Sequence, residues 1–170
     1  MEIAQKYKEQ LQQKMLDVWY SDKYKYWNAD TFFSEFKVSE DSWNMHQFVC
    51  VGGMEGPDEL VGYIGYSINR RTNNCHSLSA INFSDYKSDK TTFGLTLGRV
   101  VCDIFEKFHF NKLNFSVIVG NPIEESYDKI IEKYGGRVVG YFRDEVKLHD
   151  GTYCDEKLYE ITSDQYFNNK

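Results

Sequence analysis

The sequence predicts an α+β domain with a mixed, mostly antiparallel sheet of about six to seven strands and helices on both faces. Three observations predict this class. A strand–helix–strand unit over 75–119 implies one parallel strand pair near the middle of the sheet. Strand-like pairs joined by turn residues flank that unit, over 47–68 and 137–161, and such short connections make antiparallel hairpins. The chain of 170 residues is long enough to bury the core of one domain.

The first part of the chain predicts helices. Residues 2–20 carry apolar side chains at spacings of three and four, as on one buried helix face. Residues 21–45 are aromatic and polar, and Asp30 is placed to cap a short helix over 31–37. The apolar face of the first helix comprises Ile3, Tyr7, Leu11, Met15, Val18 and Trp19.

Three strand-like segments follow, at 47–53, 60–68 and 75–83. The polar segment 84–92 then predicts a loop before the next helix. The turn between the first two strands contains Gly52, Gly53, Gly56, Pro57 and Asp58.

Two helices with a strand between them come next. A continuous apolar stripe predicts a long helix over 93–108, and alternation predicts a strand over 112–119. The second helix begins at Asn121, a good N-cap residue followed by Pro122, and ends at Gly135 and Gly136. Its apolar face comprises Ile123, Tyr127, Ile130, Ile131 and Tyr134.

The chain closes with a hairpin and a tail. Asp150-Gly151 between the strand-like runs 137–148 and 152–161 is a strong hairpin signal. The tail from Ser163 is polar, and we expect it to fray. We therefore interpret residues 1–170 as one domain, with a helical part over 1–45, a sheet part over 46–161 and a tail over 162–170.

Composition excludes several classes of protein. The formal net charge is −6 without a basic run, so a nucleic-acid partner is not expected. The four cysteines lie 25 or more residues apart and form no CxxC pair, which favours reduced thiols and no metal site. No apolar run approaches the ~20 residues that cross a bilayer, and the polar start lacks the apolar core of a signal peptide. We expect a cytoplasmic protein without a membrane partner.

Four motifs in order carry a family resemblance. They are Lys90-Thr91-Thr92-Phe93-Gly94-Leu95 before the long helix, Gly120-Asn121-Pro122, Glu132-Lys133-Tyr134-Gly135-Gly136, and the hairpin turn Asp150-Gly151-Thr152-Tyr153-Cys154-Asp155. Together they resemble the GNAT acetyltransferase superfamily, notably its ribosomal-protein and spermidine acetyltransferase branch, over residues 47–161. The resemblance implies that the parallel strand pair is splayed. It also implies that the helical N-terminal part faces the acceptor.

The resemblance implies acetyl-CoA as cosubstrate. The pyrophosphate loop of the family reads Q/R-x-x-G-x-G/A, whereas this chain has Gly94 and then only Gly98. The residues implied at the pyrophosphate are Thr91, Thr92, Phe93, Gly94 and Leu95. The strand residues Ile81, Asn82 and Phe83 are implied along the pantetheine arm, and Asn121 is implied to face that arm.

The resemblance also implies direct attack of a primary amine, in a small molecule or a peptide, on the thioester. Tyr127 is the nearest candidate for the general acid, although its place on the apolar helix face equally fits core packing. Counted from Asn121, the family spacing would put that tyrosine at Asp128, and aligned from the helix end it would be Ile131. No general base stands out among the four residues considered, which are His46, His76, Glu55 and Asp85. The aromatic cluster Tyr24, Tyr26, Trp27, Phe32, Phe33 and Trp43 fits either an amine site or the core.

Two other functions stay open. A GNAT-like protein can bind CoA, another ligand or a protein without turnover, and the altered glycine loop favours that alternative. An unrelated α+β interaction domain would leave the motifs over 120–155 unexplained. The hairpin edges also suggest a possible homodimer.

Overall fold

The computed structural model describes residues 1–28 and 36–170. The cap expected at Asp30, most of the helix expected over 31–37, and Phe32 and Phe33 lie outside these residues. Phe36 and Lys37, which are described, are not helical.

A seven-stranded sheet organises the described residues, in the order β1-β2-β3-β4-β5-β7-β6. Every neighbouring pair is antiparallel except the parallel pair β4–β5. The predicted fold class is therefore confirmed. The strands are β1 Glu2–Ile3, β2 Met45–Gly53, β3 Gly56–Asn69, β4 Asn74–Asn82, β5 Lys112–Ile118, β6 Arg137–Lys147 and β7 Tyr153–Thr162.

Helices cover both faces of the sheet. One face packs under α1, with Leu11, Met15 and Val18 fully buried. The other packs under α3, α4 and α5 in the larger hydrophobic core. The helices are α1 Lys8–Trp19, α2 Lys25–Asn28, α3 Lys87–Glu106, α4 Glu124–Lys133 and α5 Ser163–Asn168.

The parallel pair separates soon after it begins. β4 pairs with β5 at only three positions, from Asn74 opposite Lys112 to His76 opposite Asn114. Ser77 follows with a φ of 55°, and the β3–β4 register shifts opposite it, between Gly65 and Ser67. Such a bulge increases local twist and turns a strand away from its neighbour. Among residues 1–28 and 36–170, the edge of β4 beyond His76 therefore has no strand partner on the β5 side.

The loop predicted over 84–92 is wrong, because α3 already begins at Lys87. The hydroxyls of Thr91 and Thr92 donate to the carbonyls of Lys87 and Ser88, at 3.0 and 3.1 Å. These bonds let polar residues sit on an exposed helix turn. A second contact that stabilises the start of α3 cannot be predicted from hydrophobic periodicity. Buried Asp89 accepts hydrogen bonds from the Ser84 hydroxyl at 2.7 Å and the Met54 N–H at 3.3 Å.

Three other boundaries differ from expectation. Residues 2–3 form a strand on the edge of β2 rather than the start of α1. The helix expected from Asn121 begins at Glu124, and Asn121 instead closes a turn through a 3.2 Å bond from the Ile123 N–H to its Oδ1. The tail does not fray, because a capping box between Thr162 and Gln165 starts α5, which buries Tyr166 completely. The hairpins over β2–β3 and β6–β7 are confirmed.

Candidate active site

A cleft of about 370 Å³ opens beside the separated part of β4, and we call it the α3 cleft. Its walls come from α2 and the residues before it, the end of β4, the first half of α3 and the start of α4. The fold thus brings four elements together at the point where the sheet is open. The α3 cleft is lined by Lys23, Tyr24, Tyr26, Trp27, Ala80, Ile81, Asn82, Ser84, Lys90, Phe93, Gly94, Leu97, Asn121, Pro122, Ile123 and Ser126.

Backbone groups of β4 point into this opening. The Phe83 N–H donates to the Val61 carbonyl at 2.8 Å, which fixes the alternation of bonded pairs between β3 and β4. In an antiparallel ladder alternate residues turn their N–H and C=O groups away from the partner strand. Ala80 and Asn82 are those residues, so their backbone groups face the open side.

The side chain of Asn82 is half satisfied. Its Oδ1 accepts a 2.8 Å hydrogen bond from the Ser84 N–H, whereas its Nδ2 is buried without a partner among the described residues. A buried donor without an acceptor costs roughly 1–3 kcal/mol. Such a group in the wall of a cleft fits a site that receives a hydrogen-bond acceptor from a ligand.

The mouth of the α3 cleft is cationic. Lys23 and Lys90 line it, with Nζ atoms 2.8 and 3.8 Å from the Asp85 carboxylate. The hydrogen bond from Lys23 is the main reason that the pKa of Asp85 lies below its ordinary value. Because Lys90 donates the first bond within α3, to Tyr86, the N–H groups of residues 87–89 are free of intrahelical acceptors. Two ammonium groups and a helix N-terminus suit an anion.

The residues predicted at a phosphate loop lie in the helix instead. Phe93 and Gly94 line the α3 cleft, whereas Thr91, Thr92 and Leu95 do not, and Leu95 is 73% exposed. The backbone N–H groups of Thr91 to Leu95 are within α3 and serve its own ladder. The free N–H groups lie one turn earlier, over 87–89.

The two wall residues of α3 have different neighbours. A Cβ built on Gly62 would lie 2.5 Å from Cδ2 of Phe93 and 2.7 Å from the Ile81 carbonyl oxygen. Glycine at this position therefore leaves the room that Phe93 needs to pack against β3. A Cβ built on Gly94 meets nothing within 4 Å. Gly94 therefore presents bare helix backbone to the cleft.

The three remaining predicted cofactor residues separate. Ile81 and Asn121 line the α3 cleft with Asn82. Phe83 packs instead at the edge of the cluster under α1, and its carbonyl accepts a 3.3 Å bond from the Tyr24 hydroxyl.

A smaller cavity of about 80 Å³, here called the splay cavity, lies between the separated strands and adjoins the α3 cleft at shared residues. Tyr127 lines it and is 2% exposed, and its hydroxyl donates to the Leu78 carbonyl at 3.2 Å. Burial, then the nearby Tyr159, raises the pKa of Tyr127. The splay cavity is lined by Tyr26, Trp27, Leu78, Ser79, Ala80, Ser116, Val117, Ile118, Asn121, Ile123, Tyr127 and Glu156.

Asp128, where the family spacing would put a tyrosine, belongs to an ion-pair network. Lys157 Nζ lies 2.7 Å from Asp128 and 3.1 Å from Glu124, and the Tyr159 hydroxyl donates to Asp128 at 2.8 Å. Burial opposes the charge on Lys157, but its bonds to Asp128, Tyr159 and Glu124 outweigh that effect and raise its pKa. This network ties α4 to β7.

The four candidates for a general base lie elsewhere. His46 Nδ1 is 2.6 Å from the Tyr66 hydroxyl, and the ring packs on Phe108 at 4.5 Å. His76, Glu55 and Asp85 line neither the α3 cleft nor the splay cavity. Sequence reasoning missed Lys23, Ser84 and Glu156, which line one or the other. Neither the family motifs nor the apolar periodicity pointed to these three residues.

The aromatic cluster divides in the structure. Tyr24, Tyr26 and Trp27 line the α3 cleft, whereas Trp43 is 64% exposed and lies under the Arg70 guanidinium at 4.6 Å. All four cysteines are free. The described residues contain no group of three or more potential metal ligands. None of the helices described is both long and apolar enough to span a membrane.

Comparison with known proteins identifies the fold. No protein-family model matches the sequence, and no curated protein matches it significantly. A point mutant of spermidine N-acetyltransferase from Vibrio cholerae gives a TM-score of 0.59 at 21% identity, over 75% of this chain and 70% of that one. Ribosomal-protein-S5-alanine acetyltransferase from Vibrio fischeri gives 0.57 at 19% identity, over 72% and 63%. A structure described as a probable acetyltransferase gives 0.58 at 17% identity, over 73% and 65%. The chain has the GNAT fold of these acetyltransferases, as the motifs predicted.

Proposed function

We propose that this protein transfers the acetyl group of acetyl-CoA to a primary amine by direct attack. The observation that carries the proposal is the open edge of β4 beside the α3 cleft, with the unpartnered Nδ2 of Asn82 in its wall. A strand edge offers alternating donors and acceptors, which match the amides of a pantetheine arm.

The two ends of the cleft suit the two ends of the cosubstrate. Lys23 and Lys90, which line the cleft, would hold phosphates at the mouth. The free N–H groups of residues 87–89 lie outside the lining, in the turn of α3 that leads to Lys90, where the helix dipole favours an anion. Ala80, Ile81 and Asn82 would hold the arm, and Asn121 lies between the α3 cleft and the splay cavity. Acetyl-CoA supplies the activated acyl group, and everything else is binding and proton handling by this chain.

Tyr127 is the proposed proton donor to the leaving sulfur. Its raised pKa keeps the hydroxyl protonated at neutral pH, and it lies in the wall of the splay cavity. To donate its proton, the Tyr127 hydroxyl must break its hydrogen bond to the Leu78 carbonyl and form one to the sulfur. Thr91, Thr92 and Leu95 were also predicted at the pyrophosphate. Because they do not line the α3 cleft, we propose that they lie near the phosphates without contacting them.

Thermal denaturation with acetyl-CoA, CoA and an unrelated nucleotide tests the binding site. A ligand at ~100 times its dissociation constant stabilises the fold by ~2.7 kcal/mol. We expect that shift with both CoA species and none with the nucleotide. No shift with either CoA species would refute the proposal.

Thiol release across an amine panel separates the enzyme from its alternative. The panel should include spermidine and an alanine-bearing peptide, because the similar structures carry both names. Binding of acetyl-CoA without amine-dependent thiol release would favour a GNAT-like protein that binds CoA without turnover.

We also propose that two copies of the chain associate through β6. β6 is an edge strand, and its apolar side chains are exposed on both faces, with Val139, Tyr141 and Phe142 each more than half exposed. An unpaired edge with apolar side chains favours pairing with a second strand. A second copy supplies an identical strand.

A further inference from the structure

One carboxylate in the splay cavity has no partner. Glu156 lies on β7 opposite Ile118 of β5, and its side chain lines the cavity. Neighbouring Lys157 points to the opposite face, into the network with Asp128. Among the described residues no hydrogen bond or ion pair forms to the Glu156 carboxylate, although the residue is half-buried. Glu160, on the same face of β7, is by contrast paired with Lys112 at 3.0 Å.

A half-buried, unpaired carboxylate is unfavourable unless something cationic completes it. A carboxylate that is partly shielded from water favours a cation or hydrogen-bond donors as neighbours. Apart from Glu156, the residues lining the splay cavity carry no charged group, although Lys25 Nζ lies 5.0 Å from the centroid of the Tyr26 ring. Among the described residues no cation is paired with the Glu156 carboxylate, and a ligand can supply one.

The walls of the splay cavity favour a particular cation. Trp27 presents an aromatic ring, which attracts an ammonium group, as the neighbouring Tyr26 ring already does with Lys25 Nζ at 5.0 Å. The volume of 80 Å³ is about that of two or three water-sized groups. That space is enough for the amino end of an alkylamine.

We propose that Glu156 binds the ammonium end of a primary alkylamine acceptor and takes its proton. This inference rests on the proposed acetyl transfer and adds the residue and the amine class. The titratable groups that line the same cavity are the phenols of Tyr26 on α2 and Tyr127 on α4. Neither provides a carboxylate to compete for the role.

Glu156 and Tyr127 account for the protons of the proposed transfer. One proton passes from R–NH₃⁺ to the Glu156 carboxylate, directly or through one water, and leaves R–NH₂. The nitrogen lone pair forms the C–N bond to the thioester carbon, and the C–S bond breaks with its electron pair on sulfur. The sulfur takes the Tyr127 proton to give the CoA thiol, and the second nitrogen proton passes to the Tyr127 phenolate to give the amide. Glu156 then releases its proton to solvent, so one proton is released overall.

The test compares two amine classes in wild type, Glu156→Gln and Glu145→Gln. Glu145 lies on β6, is exposed and lines neither the α3 cleft nor the splay cavity, so its variant controls for the loss of one negative charge. A primary alkylamine has a pKa of about 10 and is protonated at neutral pH. Methoxyamine, by contrast, is largely unprotonated at neutral pH and does not need a base to remove a first proton.

We expect Glu156→Gln to lower kcat/KM at least 100-fold for an unbranched alkylamine and less than threefold for methoxyamine, with acetyl-CoA affinity unchanged. Glu145→Gln should match wild type with both amines. Equal losses with both classes, or no loss with either, would overturn the assignment of Glu156. Wild type that binds no acetyl-CoA and acetylates neither amine would overturn the proposed function itself, and the two failures are therefore distinguishable.

Discussion

Two glycines of α3 give a matched pair for the cofactor site. Gly94 lines the α3 cleft, whereas Gly98, one turn later, does not. Both lie inside the helix without a positive φ, and a Cβ at either one meets no heavy atom within 4 Å. The structure thus separates what each glycine costs the fold from what it gives the cleft.

The cost to the fold follows from helix propensity. Glycine in a helix interior is about 0.5–1 kcal/mol less favourable than alanine. With open space at both positions, Gly94→Ala and Gly98→Ala should each stabilise the protein by about that amount. For a chain of this size 1 kcal/mol raises the Tm by roughly 2–4 °C. Urea denaturation of the two variants measures the gain directly.

The contribution to the cleft requires a larger change. Gly94→Glu places a carboxylate in the wall of the α3 cleft, near the N–H groups and lysines proposed to hold phosphate. We expect the acetyl-CoA affinity to fall at least tenfold, which equals about 1.4 kcal/mol. Gly98→Glu adds the same charge outside the cleft and should leave the affinity within about twofold.

Isothermal titration with acetyl-CoA compares the two glutamate variants, and urea denaturation confirms that both are folded. If Gly94→Glu binds acetyl-CoA as tightly as Gly98→Glu does, the cosubstrate does not lie against Gly94. The α3 cleft would then be the wrong site.

Three other predictions follow from particular contacts. Tyr127→Phe should lower kcat about 100-fold or more. Tyr134, at the C-terminal end of α4, has its hydroxyl 3.2 Å from Cys102 Sγ on α3. Tyr134→Phe should therefore lower stability by about 1 kcal/mol without changing kcat. Similar kcat for the two variants would make Tyr127 a core residue only. The Glu160 pKa is lowered, chiefly by the hydrogen bond from Lys112, so its stabilising contribution is complete above its ordinary value of 4.5 and lost as pH falls through the lower folded value. Urea denaturation should show a smaller stability difference between neutral and acidic pH in Glu160→Gln, and an unchanged difference would refute that role. Phe142→Asp should convert a dimer to a monomer in light scattering, and a wild-type monomer at all concentrations would refute the β6 interface.

Periodicity predicted the fold well where one face of an element is buried. The apolar stripe of α3 and the alternation of β5 and β7 record contact with one core, so their type and order were readable. The start of α3 was not, because Ser84, Asp89 and Met54 anchor it through polar bonds between distant residues. The prediction that the tail frays was wrong for a related reason. Tyr166 is buried against a core that only the assembled sheet creates.

The site was less readable than the fold. Family motifs led to Asn82, Gly94 and Asn121, which do line the α3 cleft. They also led to Thr91 and Thr92, whose hydroxyls turn back onto the helix. Lys23 lies just before α2 and lines the α3 cleft, whereas Glu156 lies on β7 and lines the splay cavity. Because they are more than 130 residues apart in the chain, no local spacing pattern could identify them.

Amine-dependent release of CoA from acetyl-CoA by the wild-type protein tests the central claim most directly. We expect release that depends on both protein and amine and equals the amount of an acetylated primary alkylamine identified by mass spectrometry. At limiting acetyl-CoA the release should be lower in Gly94→Glu. Protein that is folded and saturated with acetyl-CoA, yet releases no thiol with any primary amine, would contradict it.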